Sequence, residues 1–371
     1  MEKKRIDWID GIKLLACICV FISHFQGFFY EQCGVKQLST AFGTVIQSSF
    51  NILKNGNLWV CLFCVISGYF ASKKEIRTWK ELFKAIVNRY LRFFIPLFCV
   101  NIIAFVLYHL HCFQTQYYAE ILQNDWIGGY YGFNITPWIV LRASIKMTSE
   151  LNSPLWMLFA MFVGTCFIYV CKYAMSKCKA RYVNIAVVTL WLIMLFVFPN
   201  KHDVYLYSII TVFGGFLKVL MDKQFLAKQK QFVNVLIIFA IYICSSLIQG
   251  MVLDAIGTYP EYIVQYFQAI YSVLFVIAVN NLGGLKNVLE CRVLKKTSGL
   301  SFGIYLLHWL VLSSFSLAVY GVLIKYFSAD IVYCINLPVS LVVVLLASKL
   351  FHITVEKWSG MLIKKVMSLV K

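Results

Sequence analysis

The sequence predicts an all-α fold, a polytopic membrane bundle of about ten transmembrane helices with both termini in the cytoplasm. Three observations carry that prediction. Hydrophobic residues make up 61% of the 371 and charged residues only 13%, with a mean hydropathy of +0.76. A soluble chain of this length needs a polar surface that such a composition cannot supply. Ten apolar runs come near the roughly 20 residues that cross a bilayer. The cations between those runs fall almost entirely on alternate sides.

The runs lie near 11–30, 56–72, 91–111, 154–171, 183–199, 204–220, 232–250, 262–282, 300–321 and 331–351. The first is led in by Arg5, Asp7, Asp10 and Lys13 and reaches a buried Ser23-His24 pair. The second is short and holds Asn57 and Ser67-Gly68. The third follows the basic segment NRYLRFFIP, and the fourth opens on SPLW. Between them, 112–153 is the longest stretch outside the membrane, with Trp126, Tyr130, Tyr131, Phe133 and Trp138 suited to interfacial depth or to covering a cavity. A second outer loop, 251–261, carries Asp254 and Glu261. The ninth run contains SFGIYLLHWL, and the tenth ends in FHITVEKW.

Charge placement tests this order independently. With the N-terminus inside, the inner segments hold Lys73, Lys74, Arg77, Lys80, Lys84, Arg89 and Arg92, then Lys172 to Arg181, Lys218 to Lys230, and Lys286 to Lys296. The outer side keeps only Lys36, Lys54, Arg142, Lys146, Lys201 and Lys325. The net charge of +18 is therefore a topology signal, and no nucleic-acid partner is expected. The thirteen cysteines sit mostly in apolar runs, where Cys acts as a small hydrophobe; Cys61 and Cys64 form a C-x-x-C that reads as packing. No small-x-small cleavage site follows the first run, so an uncleaved span is expected, within one membrane domain over 1–371 and no appended soluble domain.

His24 is the leading chemical candidate, because an ionisable side chain at membrane depth is a functional-site hypothesis by default. It serves either as a general base or as a structural imidazole bonded to a neighbouring helix. Lys13 lies eleven residues earlier, about three helical turns and roughly 16 Å along one face. Ser67-Gly68 permits close helix packing and supplies a hydroxyl. Arg89 and Arg92 share a face, with guanidinium forks that suit phosphate groups or lipid headgroups alike. Trp156 suits the aromatic belt, while Tyr305 and His308 share one face of the ninth span. Glu356 reads most simply as an interfacial ion pair with Lys357. His109 and His111 lack further ligands at metal-site spacing, and no metal is expected.

Taken in order, these features resemble the membrane-bound acyltransferase 3 family, bacterial enzymes that O-acylate polysaccharides and other extracytoplasmic glycans. The matching residues are Asp10-Gly11-Ile12-Lys13 followed by His24, then Phe63 to Tyr69, then Arg89, Arg92 and Pro96. Leu155-Trp156, Ser301 to His308 and a closing Glu356 complete the pattern. Lys13 stands where the family usually has Arg, and Cys64 where it usually has Phe.

The resemblance implies an acyl-coenzyme A donor, acetyl-coenzyme A first, whose phosphates meet Lys13, Arg89 and Arg92 on the cytoplasmic side. It implies His24 as the base that activates a hydroxyl of a glycan or lipid-linked saccharide arriving from outside. Asp10, Ser67, Gly68, Trp156, Tyr305, His308 and Glu356 would line the substrate path. A bacterial-type plasma membrane and contact with its lipids are also implied. The rival from another class is a glycan or lipid transporter without covalent chemistry, which would be indifferent to acyl-coenzyme A.

Overall fold

The computed structural model describes residues 6–29, 53, 55–179, 203–227, 231–245 and 261–369. Among these, all regular structure is helical and no strand occurs. The membrane-class helices are α1 (Asp7–Phe29), α2 (Gly56–Ser72), α3 (Trp79–His109), α4 (Trp156–Lys177), α5 (Asp203–Asp222), α6 (Gln231–Ile243), α7 (Glu261–Asn281), α8 (Ser301–Val311) and α9 (Ala329–Phe351). With their continuations, seven of the described helices are long and apolar enough to cross a membrane, and α2 and α6 are shorter apolar helices. The chain is thus an all-α polytopic membrane protein. The expected span at 183–199 and the outer loop with Asp254 lie outside the described residues.

Two helices run further than the apolar runs suggested. The third was expected from 91, but α3 begins at Trp79. Thr78 and Glu81 form a reciprocal cap there: Glu81 N–H donates to Thr78 Oγ1, and Glu81 Oε2 accepts from the Arg77 and Thr78 amides. The charged first turns that follow had hidden this start from an apolar window. At the other end, α9 does not stop at 351. It passes through a π-helical segment, His352–Glu356, into a basic amphipathic helix, Lys357–Leu369.

The described residues divide into two compact units. The first comprises Met1–Gly56, Arg92–Trp156 and Arg292–Leu362. Here α1 packs on α8, with Cys17 Sγ donating to the Ser301 carbonyl at 2.9 Å. Asp7 and Asp10 in the first turn of α1 complement its positive end. Helices α8 and α9 cross at Gly303, where a β-carbon would meet Ser348 at 3.1 Å. Beyond Val311 the helix widens into a π-segment, Leu312–Ser316. The Ser316 carbonyl accepts from Asn336 Nδ2 at 3.0 Å, Ser340 Oγ donates to Asn336 Oδ1 at 2.9 Å, and the two serine hydroxyls meet at 2.6 Å. These polar groups are buried and satisfy one another, as hydrocarbon surroundings demand.

The same unit holds the outer stretch, which folds into short helices at Thr115–Leu122, Asp125–Gly128 and Pro137–Lys146. Asn124 and Thr136 cap the second and third by accepting from the Ile127 and Ile139 amides, and Pro137 takes the first helical position of the third. Arg142 and Glu150 pair at 2.6 Å, and Asn101 on α3 donates to Ser144 Oγ at 2.9 Å.

The second unit comprises Asn57–Leu91, Met157–Cys291 and Ile363–Lys371. Its centre is a glycine crossing of α2 and α5. A β-carbon on Gly68 would strike the Thr211 carbonyl, and one on Gly214 would strike the backbone of Val65, Gly68 and Tyr69. Ser208 Oγ ties α5 to the Ala160 carbonyl of α4 at 3.1 Å, and Tyr207 OH reaches Asn57 at 3.2 Å. Cys61 and Cys64 are buried and unbridged, and the Cys61 thiol donates to the Gln265 carbonyl at 3.6 Å.

Candidate active site

In the first unit, α1 and α8 bring the two intramembrane histidines together. His24 Nδ1 and His308 Nε2 are 2.7 Å apart. The ring planes differ by 10°, with centroids 4.9 Å apart. Rings lying face over face would keep their atoms about 3.5 Å apart. The shorter N···N distance therefore means that the rings meet edge to edge in nearly one plane, the orientation in which a ring N–H points along the facing lone pair. His308 is fully buried and its other nitrogen, Nδ1, lies 3.0 Å from the Ile304 carbonyl one turn earlier. His24 was expected buried with Ser23; both residues are partly buried.

Aromatic side chains surround the His24 ring. Trp126 from the outer stretch lies 5.7 Å from the His24 ring, and Trp309 of α8 meets it edge-on at 6.0 Å. Trp126 packs on Trp309 at 4.8 Å, Phe28 on Trp309 at 5.1 Å, and Tyr130 on Trp309 at 4.8 Å. Trp126 still exposes 40% of its surface. The outer stretch is held down by Asn124 Nδ2, which donates to the Gly27 carbonyl at 2.5 Å. Tyr131 OH donates to the Leu151 carbonyl at 2.7 Å. Burial pushes the Tyr131 phenol well above its usual range, with Tyr130 adding to the shift, so it stays a neutral donor.

Tyr305 and Trp156 do not sit as free recognition groups. Tyr305 OH donates to the Pro154 carbonyl, and Asn152 Nδ2 donates to the Leu306 carbonyl at 2.8 Å. The 3₁₀ turn Ser153–Leu155, which ends at Trp156, is thereby bolted to the face of α8 that carries His308. Tyr305 is a scaffold residue one turn from the histidine, its ring 5.9 Å from that of His308.

Acid–base pairs form at the basic end of the same unit. Lys13 Nζ meets Asp10 at 2.5 Å, Lys295 pairs with Asp7, and His352 Nδ1 meets Glu356 at 2.6 Å. The last corrects the expected Glu356–Lys357 pair. Residues four apart share a helical face and adjacent ones do not, so Glu356 turns to His352. The His352 ring lies over Gly299, 3.1 Å from where a β-carbon would stand. Arg92 is exposed, next to Phe93, whose ring faces Phe302 at 6.4 Å.

In the second unit, two residues expected to serve different substrates bond each other. Arg89 Nη2 donates to Ser67 Oγ, and Ser67 Oγ lies 3.4 Å from Thr165 Oγ1. The adjacent Gly68 is the α2–α5 contact described above, so its role is backbone approach. Among the described residues, no group of three or more His, Cys, Asp or Glu side chains is arranged to hold a metal.

Trp309 was missed as a site residue although it follows His308 directly; as a buried aromatic in an apolar span it gave no separate signal. Trp126 was visible only as one of several aromatics in the outer stretch.

A family model described as an acyltransferase domain matches residues 6–352, nearly the whole chain. No curated protein and no solved structure matches the chain.

Proposed function

The chain belongs to this acyltransferase family, and from that premise we propose that it transfers an acyl group from a coenzyme A thioester, acetyl first, to a hydroxyl of a cell-surface or lipid-linked glycan. The observation that carries the reading is His24, a half-buried imidazole at membrane depth under an aromatic roof. Such a group is well suited to general-base work on a hydroxyl.

In this reading His24 withdraws the acceptor's hydroxyl proton as the oxygen attacks the thioester carbonyl carbon. The carbon–sulfur bond then breaks and the ester leaves with the acceptor. Trp126, partly exposed above His24, offers a face on which the apolar side of a sugar ring can stack. Lys13, Arg89 and Arg92 are the cations proposed for the donor's phosphates, with Arg92 the most open. Ser67 then acts by orienting Arg89. Asp10 orients Lys13, while Glu356 with His352 and Tyr305 with Trp156 shape the path around the substrates. The proposed location is a bacterial-type plasma membrane, with the basic helix ends facing the cytoplasm.

The test compares glycan mass spectra from cells carrying the wild-type chain, His24→Ala, or no gene, alongside acyl-coenzyme A consumption by purified protein. One acyl mass present only with the wild type supports the reading. Identical spectra with no thioester consumed would sink it and favour transport without chemistry.

A further inference from the structure

The contact between the two histidines says more than that they touch, because its hydrogens can be assigned from the partners. The Ile304 carbonyl can only accept, so His308 Nδ1, at 3.0 Å, carries the ring hydrogen. A neutral imidazole has one such hydrogen, which leaves His308 Nε2 as an acceptor. A second ring hydrogen would place a full charge on a side chain with no exposure, beside the neutral carbonyls of Ile304 and Tyr305. The hydrogen between the rings therefore belongs to His24 Nδ1, 2.7 Å away and nearly in plane. His24 Nε2 is left with its lone pair.

Resting on the acyltransferase reading, we infer that His308 is a positioning residue that locks His24 in its Nδ1–H form, making Nε2 the one atom that both takes the acceptor's proton and returns it to the leaving thiolate. The orienting partner of a catalytic histidine is commonly a carboxylate, which fixes the tautomer and also stabilises the imidazolium by charge. Here the partner is a neutral imidazole, which supplies the first service without the second. The relay is also a dead end for protons. It stops at the Ile304 carbonyl inside α8, so a proton taken at Nε2 has no exit through His308.

The balance of the step follows. The acceptor O–H breaks and its proton goes to His24 Nε2. The oxygen forms a bond to the thioester carbonyl carbon, the C–S bond breaks, and the thiolate takes that same proton to leave as coenzyme A thiol. Both substrates must then be present together around Nε2, so the kinetics are sequential.

Two measurements test the inference. In wild-type protein labelled with ¹⁵N-histidine, with His24→Ala used to assign the signals, His24 Nδ1 should read as hydrogen-bearing and Nε2 as the lone-pair nitrogen. The reverse pattern overturns the proposal, and this readout does not depend on turnover. In kinetics, His308→Gln places an amide oxygen where Nε2 stood and should retain most of the activity. His308→Leu, which offers no acceptor, should lose about a hundredfold in kcat with the KM of both substrates unchanged. Equal loss in both folded variants, or a change in KM alone, overturns the positioning role, and ping-pong kinetics overturns the shared nitrogen. A wild-type protein that consumes no acyl-coenzyme A while showing the expected tautomer would refute the acyltransferase reading and leave the histidine geometry standing.

Discussion

Gly27 sits directly beneath Trp126, where a β-carbon would stand 2.7 Å from the indole Cζ3. The Gly27 carbonyl also receives the Asn124 amide. One residue of α1 thus both anchors the outer stretch and makes room for the ring that roofs His24. Gly27→Ala should displace that ring at a cost of about 1–3 kcal/mol, the range for an added methyl in a packed site. The expected result is a shifted tryptophan fluorescence and a raised acceptor KM, with donor binding unaltered. Unchanged fluorescence and unchanged acceptor KM would remove Gly27 from this role.

Trp126→Ala tests the roof itself. Aromatic contacts of this kind contribute about 0.5–1.5 kcal/mol, so acceptor KM should rise roughly two- to tenfold. Trp126→Phe should recover most of it. Steady-state kinetics with a soluble acceptor analogue distinguishes the outcomes, and equal activity in all three proteins would show that the acceptor sits elsewhere.

The bond between Arg89 and Ser67 predicts an ordered pair of effects on the donor side. Arg89→Lys keeps the charge but loses the planar fork, and should weaken coenzyme A binding. Ser67→Ala should cost less, about 1 kcal/mol, because it removes one hydrogen bond and leaves the guanidinium in place. Titration calorimetry with coenzyme A reads both, and a larger effect at Ser67 than at Arg89 would contradict this order.

Gly68→Ala should act on stability rather than on binding. The added carbon meets the Thr211 carbonyl, a backbone atom that cannot rotate away, and Gly214 faces it from the same helix. A loss at or above the upper end of the ~1–3 kcal/mol overpacking range is expected, seen as a lowered midpoint of thermal unfolding in detergent. A midpoint equal to wild type would mean that the α2–α5 crossing relaxes freely.

Much of this architecture was legible in the sequence because the bilayer imposes length and polarity on each segment separately. The expected runs that fall on described residues overlap helices there, with 183–199 and the end of 232–250 lying outside those residues, and His24 stood out because an imidazole in hydrocarbon needs a reason. The start of α3 was readable too, since Thr78 and Glu81 have capping-box spacing, but an apolar window gives that signal no weight. The Glu356 partner was equally within reach from helical spacing to His352. What could not be read was the meeting of His24 with His308. They are separated by 284 residues, and each span predicts only its own periodicity, not its neighbour in the bundle. The same holds for Trp126, whose importance comes from where the outer stretch is tied down.

The ladder of Asn336, Ser316 and Ser340 has a consequence for how the protein is made. An asparagine amide entering hydrocarbon alone would leave its hydrogen bonds unmade. Its carbonyl oxygen is met by Ser340 one turn on in α9, but its amide nitrogen finds its acceptor at the Ser316 carbonyl, on the π-segment that continues α8, with the short helix Leu317–Leu323 and a brief connection between. The last two spans are therefore cheaper to insert as a preformed hairpin than one after the other, and the order of synthesis delivers Ser316 before Asn336 needs it. The polar ladder that fastens α8 to α9 in the folded protein is, during biogenesis, the reason for those helices to enter the membrane as a pair.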